Sequence, residues 1–376
     1  MPPSRRVLYC IVCLAIALVA DLLAGLSHPA VQAATRSDDT TQSWSPEAAA
    51  RYLDQRELTW QKWDHAQREQ GTFCISCHTQ LAYAYGRPAL RTDIHEYNLN
   101  PPEEALLTSI RKRVALWNQL PPFYSDAHAG TGKAEEARAT EAVLNAIILL
   151  RYDTLHLSPD TRAALNNAWA LQLKSGPDLG SWKWLNFDLA PWETPNAQYF
   201  GAAMLAQAVS TAPDDYSRHA DAVGHLSALR LYLTTHYTQQ PLFNQVIVLW
   251  ASAHLPGLLS SQQRKQLLDA IYGHQNADGG WSLSKLGPWQ RSENSPQPTA
   301  SDGYATGIAV LALEANSAQN AYLRRGIQWL KTHQDPTTGA WPAQSLNQNR
   351  DPNTNVGKFM TDASTGFAAL ALESQP

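Results

Sequence analysis

The 376-residue sequence predicts an all-α protein, an (α/α)6 toroid of six helical hairpins. Three observations indicate it: amphipathic segments alternate with almost wholly apolar ones, a Gln-turn-Gly-Trp pattern recurs between them, and parts of the C-terminal half repeat. Hydrophobic residues form 44% of the chain, which excludes a disordered protein. The net charge of −4 argues against non-specific nucleic-acid binding, so we expect no nucleic-acid partner.

Residues 1–33 are expected to be a secretory signal peptide. Two arginines precede an apolar run at 7–20, and the Val-Gln-Ala of 31–33 offers small residues at both recognised positions of a cleavage site. The apolar run is shorter than the roughly 20 residues of a spanning helix. We therefore expect a periplasmic or secreted protein without an integral membrane span after cleavage; a retained anchor is the alternative. Residues 34–45 are expected to be a flexible N-terminal segment, and 46–376 a single toroid domain.

Each hairpin is expected to begin with an amphipathic helix. In the fourth, helical spacing separates the apolar residues Val223, Leu226, Leu229 and Leu233, a pattern typical of a helix with one buried face. The expected outer helices span about 46–69, 103–118, 160–174, 215–236, 260–274 and 319–333. The second helix of each hairpin is apolar all round and too short for a membrane, so it is expected to be buried inside the ring. The expected inner helices span about 80–91, 138–152, 196–210, 241–255, 303–316 and 362–374.

The same alternation places every outer-to-inner connection at one end of the ring. These loops are 70–79, 119–137, 175–195, 237–241, 275–302 and 334–361, and most of them are long. Function is expected on this long-loop face, because rigid scaffolds commonly display functional loops.

Internal similarity is clearest between 303–314 and 365–373, which share a Thr-Gly pair followed by an apolar run. A Gln, a turn and a Trp precede each of them, at 275–281 and 334–341, and a looser copy spans 172–182. These loops resemble the QW repeats of squalene–hopene cyclases and, more broadly, the toroid of terpenoid cyclases and protein prenyltransferases. The resemblance implies the fold. It implies no catalytic residues, because the sequence lacks the Asp-x-Asp-Asp acid of the cyclases and a spare Cys for the prenyltransferase zinc site.

The Cys-Ile-Ser-Cys-His motif at 74–78 is typical of a c-type haem attachment site. Cys74 and Cys77 can add to the two vinyl groups of one porphyrin, and His78 then supplies the proximal iron ligand. A redox disulfide would belong to a βαβ unit, which is not predicted, and a zinc site would need four ligands. One haem c is therefore the predicted cofactor, carried by the loop 70–79 of the first hairpin.

The sixth iron ligand has two candidates, Met360 and His128. Closing the ring brings the loop of Met360 beside the first hairpin, and the loop of His128 flanks the other side. Met204, on the third inner helix, is interpreted as core packing. An open or water-bound iron is the third option.

Tryptophans and carboxylates gather on the long-loop face. Trp182, Trp281 and Trp341 occupy the QW positions and are expected to stack between repeats, whereas Trp184, Trp192 and Trp289 are candidates for lining the mouth. The carboxylates there are Asp188, Glu193, Asp302 and Asp362, of which a pair could do general acid–base work. Asp302 and Asp362 precede inner helices and are interpreted as N-caps. Arg87 and Arg91 either meet a haem propionate or solvate a helix end.

These observations favour an exported monohaem c-type cytochrome that binds haem and transfers electrons to an unknown redox partner. The first alternative is a haem-dependent oxidoreductase acting on a small hydrophobic substrate in a cavity between the inner helices. The second, which rests on fold analogy alone, is a carbohydrate-active toroid of the lyase or hydrolase kind.

Overall fold

A computed structural model describes residues 44–318 and 320–375. The α-helices, in chain order, are α1 Pro46–Gln61, α2 Gln80–Ala89, α3 Pro101–Ala115, α4 Asp126–Ala129, α5 Lys133–Tyr152, α6 Pro159–Leu171, α7 Ala197–Ser210, α8 Ala220–His236, α9 Leu242–Ser252, α10 Ser261–Gly273, α11 Gly303–Ala315, α12 Ala321–Thr332 and α13 Phe359–Glu373. Two short strands, β1 Gln67–Arg68 and β2 Thr72–Phe73, form an antiparallel hairpin. The expected signal peptide and nearly all of the segment 34–45 lie outside the described residues.

Six helices form a closed inner ring. Each packs on the next in the order α2, α5, α7, α9, α11 and α13, and α13 packs back on α2. The other long helices lie outside this ring. Four of them pack on the inner helix that precedes them in the chain: α6 on α5, α8 on α7, α10 on α9 and α12 on α11. Three outer helices, α1, α3 and α12, contact the inner helix of their own hairpin. The all-α toroid of six hairpins is therefore confirmed. Within the described part of the chain, no helix is long and apolar enough to cross a bilayer.

Side-chain caps define where the outer helices begin. Ser45, Asn100, Ser158, Ser260 and Asn320 each accept a hydrogen bond from a backbone N–H in the first turn of the helix that follows. Such a cap satisfies an amide that has no partner within the helix. In α1, α3 and α6 a proline follows the cap, where its missing N–H costs nothing.

The Thr-Gly pairs of the repeats join QW loops and inner helices. The hydroxyl oxygens of Thr306 and Thr365 accept hydrogen bonds from the backbone N–H of Trp281 and Trp341, at 2.9 and 3.2 Å. Gly366 allows close helix packing, since a Cβ there would lie 2.3 Å from the carbonyl oxygen of Ala82 on α2. In the repeated dipeptide, the threonine therefore hydrogen-bonds the QW loop, and the glycine allows close packing of a neighbouring helix.

Each QW loop also attaches its hairpin to the next outer helix. In the last copy, the Gln334 amide donates to the carbonyl oxygens of Gly339 within the loop (2.9 Å) and Ser45 before α1 (3.0 Å). The indole N–H of Trp341 donates to the carbonyl oxygen of Leu330, at 2.9 Å. The earlier copies repeat these bonds: Gln172 to Gly180 and His225, Trp182 to Ala168, Gln275 to Gly279 and Tyr322, Trp281 to Ile271. All three tryptophans are buried, and Trp281 lies against Gly326 of the next outer helix. The hydrogen bonds of the last copy join the sixth hairpin to the first.

Aromatic side chains occupy the middle of the ring. Tyr85 on α2 contacts Trp250 on α9, the helix opposite it, with ring centroids 5.7 Å apart. Phe367 packs on both Tyr85 and Tyr304, at 5.4 and 5.1 Å, and Tyr304 packs on Phe243. The cavity that we expected between the inner helices is therefore filled at this level, because these large rings reach across the axis.

Candidate functional site

A short β-hairpin follows α1 and leads to the cysteine motif. The sequence predicts an outer helix as far as residue 69, and this is wrong, because α1 ends at Gln61. Gln70 and Gly71 both have positive φ, 61° and 67°, which builds a tight turn between β1 and β2 and is incompatible with a continuing helix. The turn brings the chain back along itself, and the backbone N–H of Cys74 donates to the carbonyl oxygen of Ala66 at 2.8 Å.

Polar side chains hold the motif 74–78 in one conformation. The Ser76 hydroxyl donates to Gln80 Oε1 at 2.6 Å and accepts from the backbone N–H of Thr79 at 3.1 Å. The indole N–H of Trp60, at the end of α1, donates to the carbonyl oxygen of Cys74 at 2.8 Å. The loop is thus fixed to α1 on one side and to the start of α2 on the other.

The motif opens onto a cavity whose empty space, counted with its open mouth, is about 970 Å³. Loops of the first, second, third and sixth hairpins form its walls, all at the long-loop face. The lining residues are Trp60, Trp63, His65, Cys74, Cys77, His78, Tyr124, Phe187, Leu189, Ala190, Trp192, Glu193, Ser345, Asn347, Arg350, Val356, Phe359 and Met360. Both thiols and the imidazole of the motif therefore face one largely aromatic space.

His78 is held as a neutral imidazole with a defined tautomer. Its Nδ1 lies 2.8 Å from Thr79 Oγ1, and the Thr79 hydroxyl donates its single proton to Asp362 Oδ2, also at 2.8 Å. Thr79 must then accept the proton of Nδ1, which leaves Nε2 unprotonated. Burial, followed by the nearby Arg56, lowers the pKa of His78 to about 3. Phe359 stacks on the ring, with centroids 3.8 Å apart. A fixed, neutral imidazole of this kind is the form that binds a metal.

The two cysteines are free and buried. Burial raises the pKa of Cys74 to about 12 and the pKa of Cys77 well above its usual range. Protonated thiols are poor ligands for a bare metal ion and poor redox nucleophiles. Among residues 44–318 and 320–375, no group of three or more His, Cys, Asp or Glu side chains is placed to hold a metal ion.

Two charged residues lie in the cavity. Burial raises the pKa of Glu193 to about 7, partly opposed by Lys133. Its backbone pairs with Leu189, which makes the segment a small hairpin over the cavity. Arg350 lines the opposite loop, and no described carboxylate lies within ion-pair distance of its guanidinium.

The two candidates for the sixth iron ligand are placed differently. Met360 is buried at the start of α13 and lines the cavity. His128 lies exposed on α4, with its Nδ1 2.8 Å from Ser125 Oγ, and is not among the lining residues. Met204 is fully buried in α7, as its interpretation as core packing predicts. The structure thus brings Met360, and not His128, to the cysteine motif.

Among the tryptophans proposed for the mouth, one lines the cavity. Trp192 lies there and its indole N–H donates to the Tyr304 hydroxyl at 3.0 Å, which joins the cavity wall to the aromatic core. Trp184 packs against Gly201 and lines a smaller pocket that also borders Cys74, Cys77 and His78. Trp289 packs beside Phe243. The difference follows from the path of the loops, which sequence periodicity does not describe.

The charged residues named from the sequence give mixed results. Asp302 caps α11 as expected, accepting from the backbone N–H of Ala305 at 2.8 Å. The interpretation of Asp362 as a cap is wrong: it lies inside the first turn of α13 and binds Arg56. Arg87 and Arg91 form ion pairs with carboxylates away from the cavity, with Asp54 and Glu96 for the first and Glu103 for the second. They do not meet the site.

Sequence reasoning missed several lining residues. His65 lies in the short 3-10 turn before β1, Tyr124 and Phe187 lie in neighbouring loops, and Phe359 and Arg350 belong to the sixth hairpin. Trp60 and Trp63 at the end of α1 were an available signal, because two indoles directly before a cysteine motif suggest an aromatic wall. The others have no local pattern that marks them.

Comparison with known proteins agrees with the fold. No curated protein matches the chain. The model of the squalene-hopene cyclase C-terminal domain matches residues 242–373, which comprise α9 to α13 and do not include the cysteine motif. Through this match the chain resembles the terpenoid cyclase toroid, to which its C-terminal hairpins are similar in sequence as well as in arrangement.

Proposed function

We propose that the chain binds one haem c and transfers electrons, with Cys74 and Cys77 as covalent anchors and His78 as the proximal iron ligand. The observation that carries the proposal is the convergence of both thiols and the imidazole on one aromatic cavity. A porphyrin supplies four of the six iron ligands, so the chain needs to provide only axial ones.

The chemistry of the donor set fits attachment. Each S–H would add across one vinyl C=C, so that an S–C bond forms and the hydrogen passes to the other vinyl carbon, without an oxidant. Both cysteines are free, as this addition requires. The guanidinium of Arg350 lines the cavity without an ion pair to any described carboxylate, so it would be available to the propionates of the same haem.

The sixth iron position decides between an electron carrier and an enzyme. Met360 is our candidate for an electron carrier, because it is the one methionine that lines the cavity. A haem-dependent oxidoreductase acting on a small hydrophobic molecule is the second candidate, and Glu193 favours it. A carboxyl group with a pKa near 7 beside an open iron could hold or release a proton during a reaction.

A carbohydrate-active role has less support. Glycosidases generally use a pair of carboxylates. Among the described residues that line the cavity, Glu193 is the single carboxylate.

We also propose that the protein is exported, to the periplasm or beyond. Covalent haem attachment takes place outside the cytoplasm, and a cleavable signal peptide at 1–33 would deliver the chain there. The redox partner would then be another exported protein.

The test is a haem stain of a denaturing gel, together with an absorption spectrum, for protein matured in a host able to attach haem c. We expect covalent haem in the wild type and none in the Cys74→Ala/Cys77→Ala variant. Circular dichroism of the same samples shows whether the variant still folds. Stoichiometric covalent haem in a folded double variant, or its absence from the matured wild type, would overturn the proposal.

The same spectra test the sixth ligand. A reduced protein that does not bind CO is expected for Met360 ligation, and Met360→Leu should then permit CO binding. Met204→Leu, a change to the buried methionine outside the cavity, is the matched control. CO binding by the wild type would favour the oxidoreductase.

A further inference from the structure

We infer that Thr79 and Asp362 are positioning residues that hold the His78 imidazole towards the iron and increase its electron donation. The inference rests on the proposed function. It concerns residues that share no sequence motif: Thr79 stands at the start of α2 and Asp362 lies in α13.

The contacts form a continuous chain ending on one carboxylate. His78 Nδ1 donates to Thr79 Oγ1 at 2.8 Å, and Thr79 Oγ1 donates to Asp362 Oδ2 at 2.8 Å. Arg56 binds both carboxylate oxygens of Asp362, Nε to Oδ1 at 2.7 Å and Nη2 to Oδ2 at 3.0 Å. The Tyr52 hydroxyl donates to Oδ1 at 2.9 Å.

This arrangement is held in place by burial and by charge. Asp362, Thr79 and Arg56 are all buried. Burial raises the pKa of Asp362, and the Arg56 guanidinium opposes that shift. All the hydrogen bonds made to its two oxygens come from donors, a pattern that an ionised carboxylate satisfies.

The hydrogen bonds from His78 through Thr79 to Asp362, which we call the relay, also connect the cysteine motif with α13. Asp362 is in the same helical turn as Met360, so one turn of α13 carries both the end of the relay and the candidate sixth ligand. Arg56 also donates to the side-chain and backbone oxygens of Asn355, at 3.1 and 3.2 Å, which ties the loop before α13 to α1.

A carboxylate at the far end of such a relay has an electronic effect that packing alone does not have. It draws the Nδ1 proton away from the ring and makes Nε2 a stronger donor, which favours the ferric over the ferrous iron. Breaking the relay should therefore raise the reduction potential. Strengthening it should lower the potential.

The experiment compares the midpoint potentials of matured holoprotein with Thr79→Val, Thr79→Ser or Tyr52→Phe. Valine keeps the size of threonine and removes the hydroxyl. We expect Thr79→Val to retain covalent haem and to raise the midpoint potential. The expected rise is about 59 mV, which corresponds to a tenfold shift of the ferric to ferrous ratio towards ferrous iron at a fixed potential. Serine restores the hydroxyl and should return the potential to that of the wild type.

Tyr52→Phe is the second arm, and its expected shift has the opposite sign. It removes one donor from Asp362, so the carboxylate accepts more strongly from Thr79 and the potential falls. Unchanged midpoint potentials would overturn the inference, and so would a rise in all three variants, which a general loss of packing would cause. In either case a positive haem stain would still support the proposed function. A wild type without covalent haem would overturn both.

Discussion

Glu57 is a carboxyl group buried completely in α1, behind the cysteine motif. Burial raises its pKa to about 8, although the hydrogen bond from the Gln61 side chain opposes the shift. Its Oε1 accepts from the Gln61 side chain at 2.8 Å. In the folded protein at neutral pH this residue is therefore mostly protonated, whereas in the unfolded chain it is ionised.

This difference predicts a pH dependence of stability. Between the unfolded pKa, near 4.5, and the folded pKa of about 8, the folded state binds the proton more tightly, so the free energy of unfolding falls as pH rises. Glu57→Gln keeps the size and the acceptor and removes the titration. We expect its stability to fall less, with a difference of about 1.4 kcal/mol per pH unit inside this window. Urea unfolding at pH 5, 6, 7 and 8 measures it.

The comparison with the wild type isolates Glu57. Asp302, Glu193 and Glu373 also have raised pKa values, and they titrate in both proteins. Parallel stability curves for the variant and the wild type would contradict the prediction.

At the scale of elements, hydrogen bonds from the glutamine of each QW loop connect successive hairpins. Gln334 in the last loop makes three hydrogen bonds to backbone groups, one inside the loop and two to Ser45 at the start of α1. The side chain of an alanine makes none of them and leaves partly buried groups without a partner.

We expect Gln334→Ala to lower the free energy of unfolding by about 1–3 kcal/mol. The control is Gln328→Ala, an exposed glutamine on α12, for which the change should stay within about 0.5 kcal/mol. Denaturant unfolding of both variants is the measurement. Equal changes in the free energy of unfolding would show that the hydrogen bonds of Gln334 stabilise the protein no more than an exposed glutamine does.

At the scale of the whole molecule, a close glycine contact adds to the packing of α13 on α2 where the ring closes. Gly339 has φ +78°, and an added Cβ would lie 2.2 Å from the carbonyl oxygen of Ala48 on α1. The loop before α13 therefore approaches α1 this closely at Gly339 because this residue has no side chain. Gly180 and Gly279 hold the equivalent positions against Ala228 and Arg325.

Gly339→Ala should destabilise the toroid by more than backbone strain alone. Gly176→Ala is the matched control, since Gly176 also has a positive φ, +84°, and open space around it. Both variants carry about 1 kcal/mol of left-handed strain, and the clash at Gly339 adds about 1–3 kcal/mol. Thermal unfolding should show a clearly lower Tm for Gly339→Ala. A loss no larger than that of Gly176→Ala would mean that the closing contact is unimportant.

Local patterns were sufficient for the hairpins, and for the loop that carries Cys74, Cys77 and His78. Helical periodicity, caps and the recurring Gln-Gly-Trp turn act over a few residues, so the sequence by itself predicts alternating outer and inner helices and the end of the ring at which loops gather. It also predicted that the loop of Met360 could reach the first hairpin, because ring closure follows from the number of hairpins.

Only the tertiary structure determined which side chains of the loops come together at the cavity. The partner of His78 Nδ1, the arrival of Asp362 beside Arg56, and the exclusion of His128 and Arg87 from the cavity depend on contacts between segments far apart in the chain. The aromatic filling of the ring likewise depends on side chains that meet across the axis from opposite helices. Periodicity determines which face of a helix is buried, and long-range packing determines which side chains share that buried space.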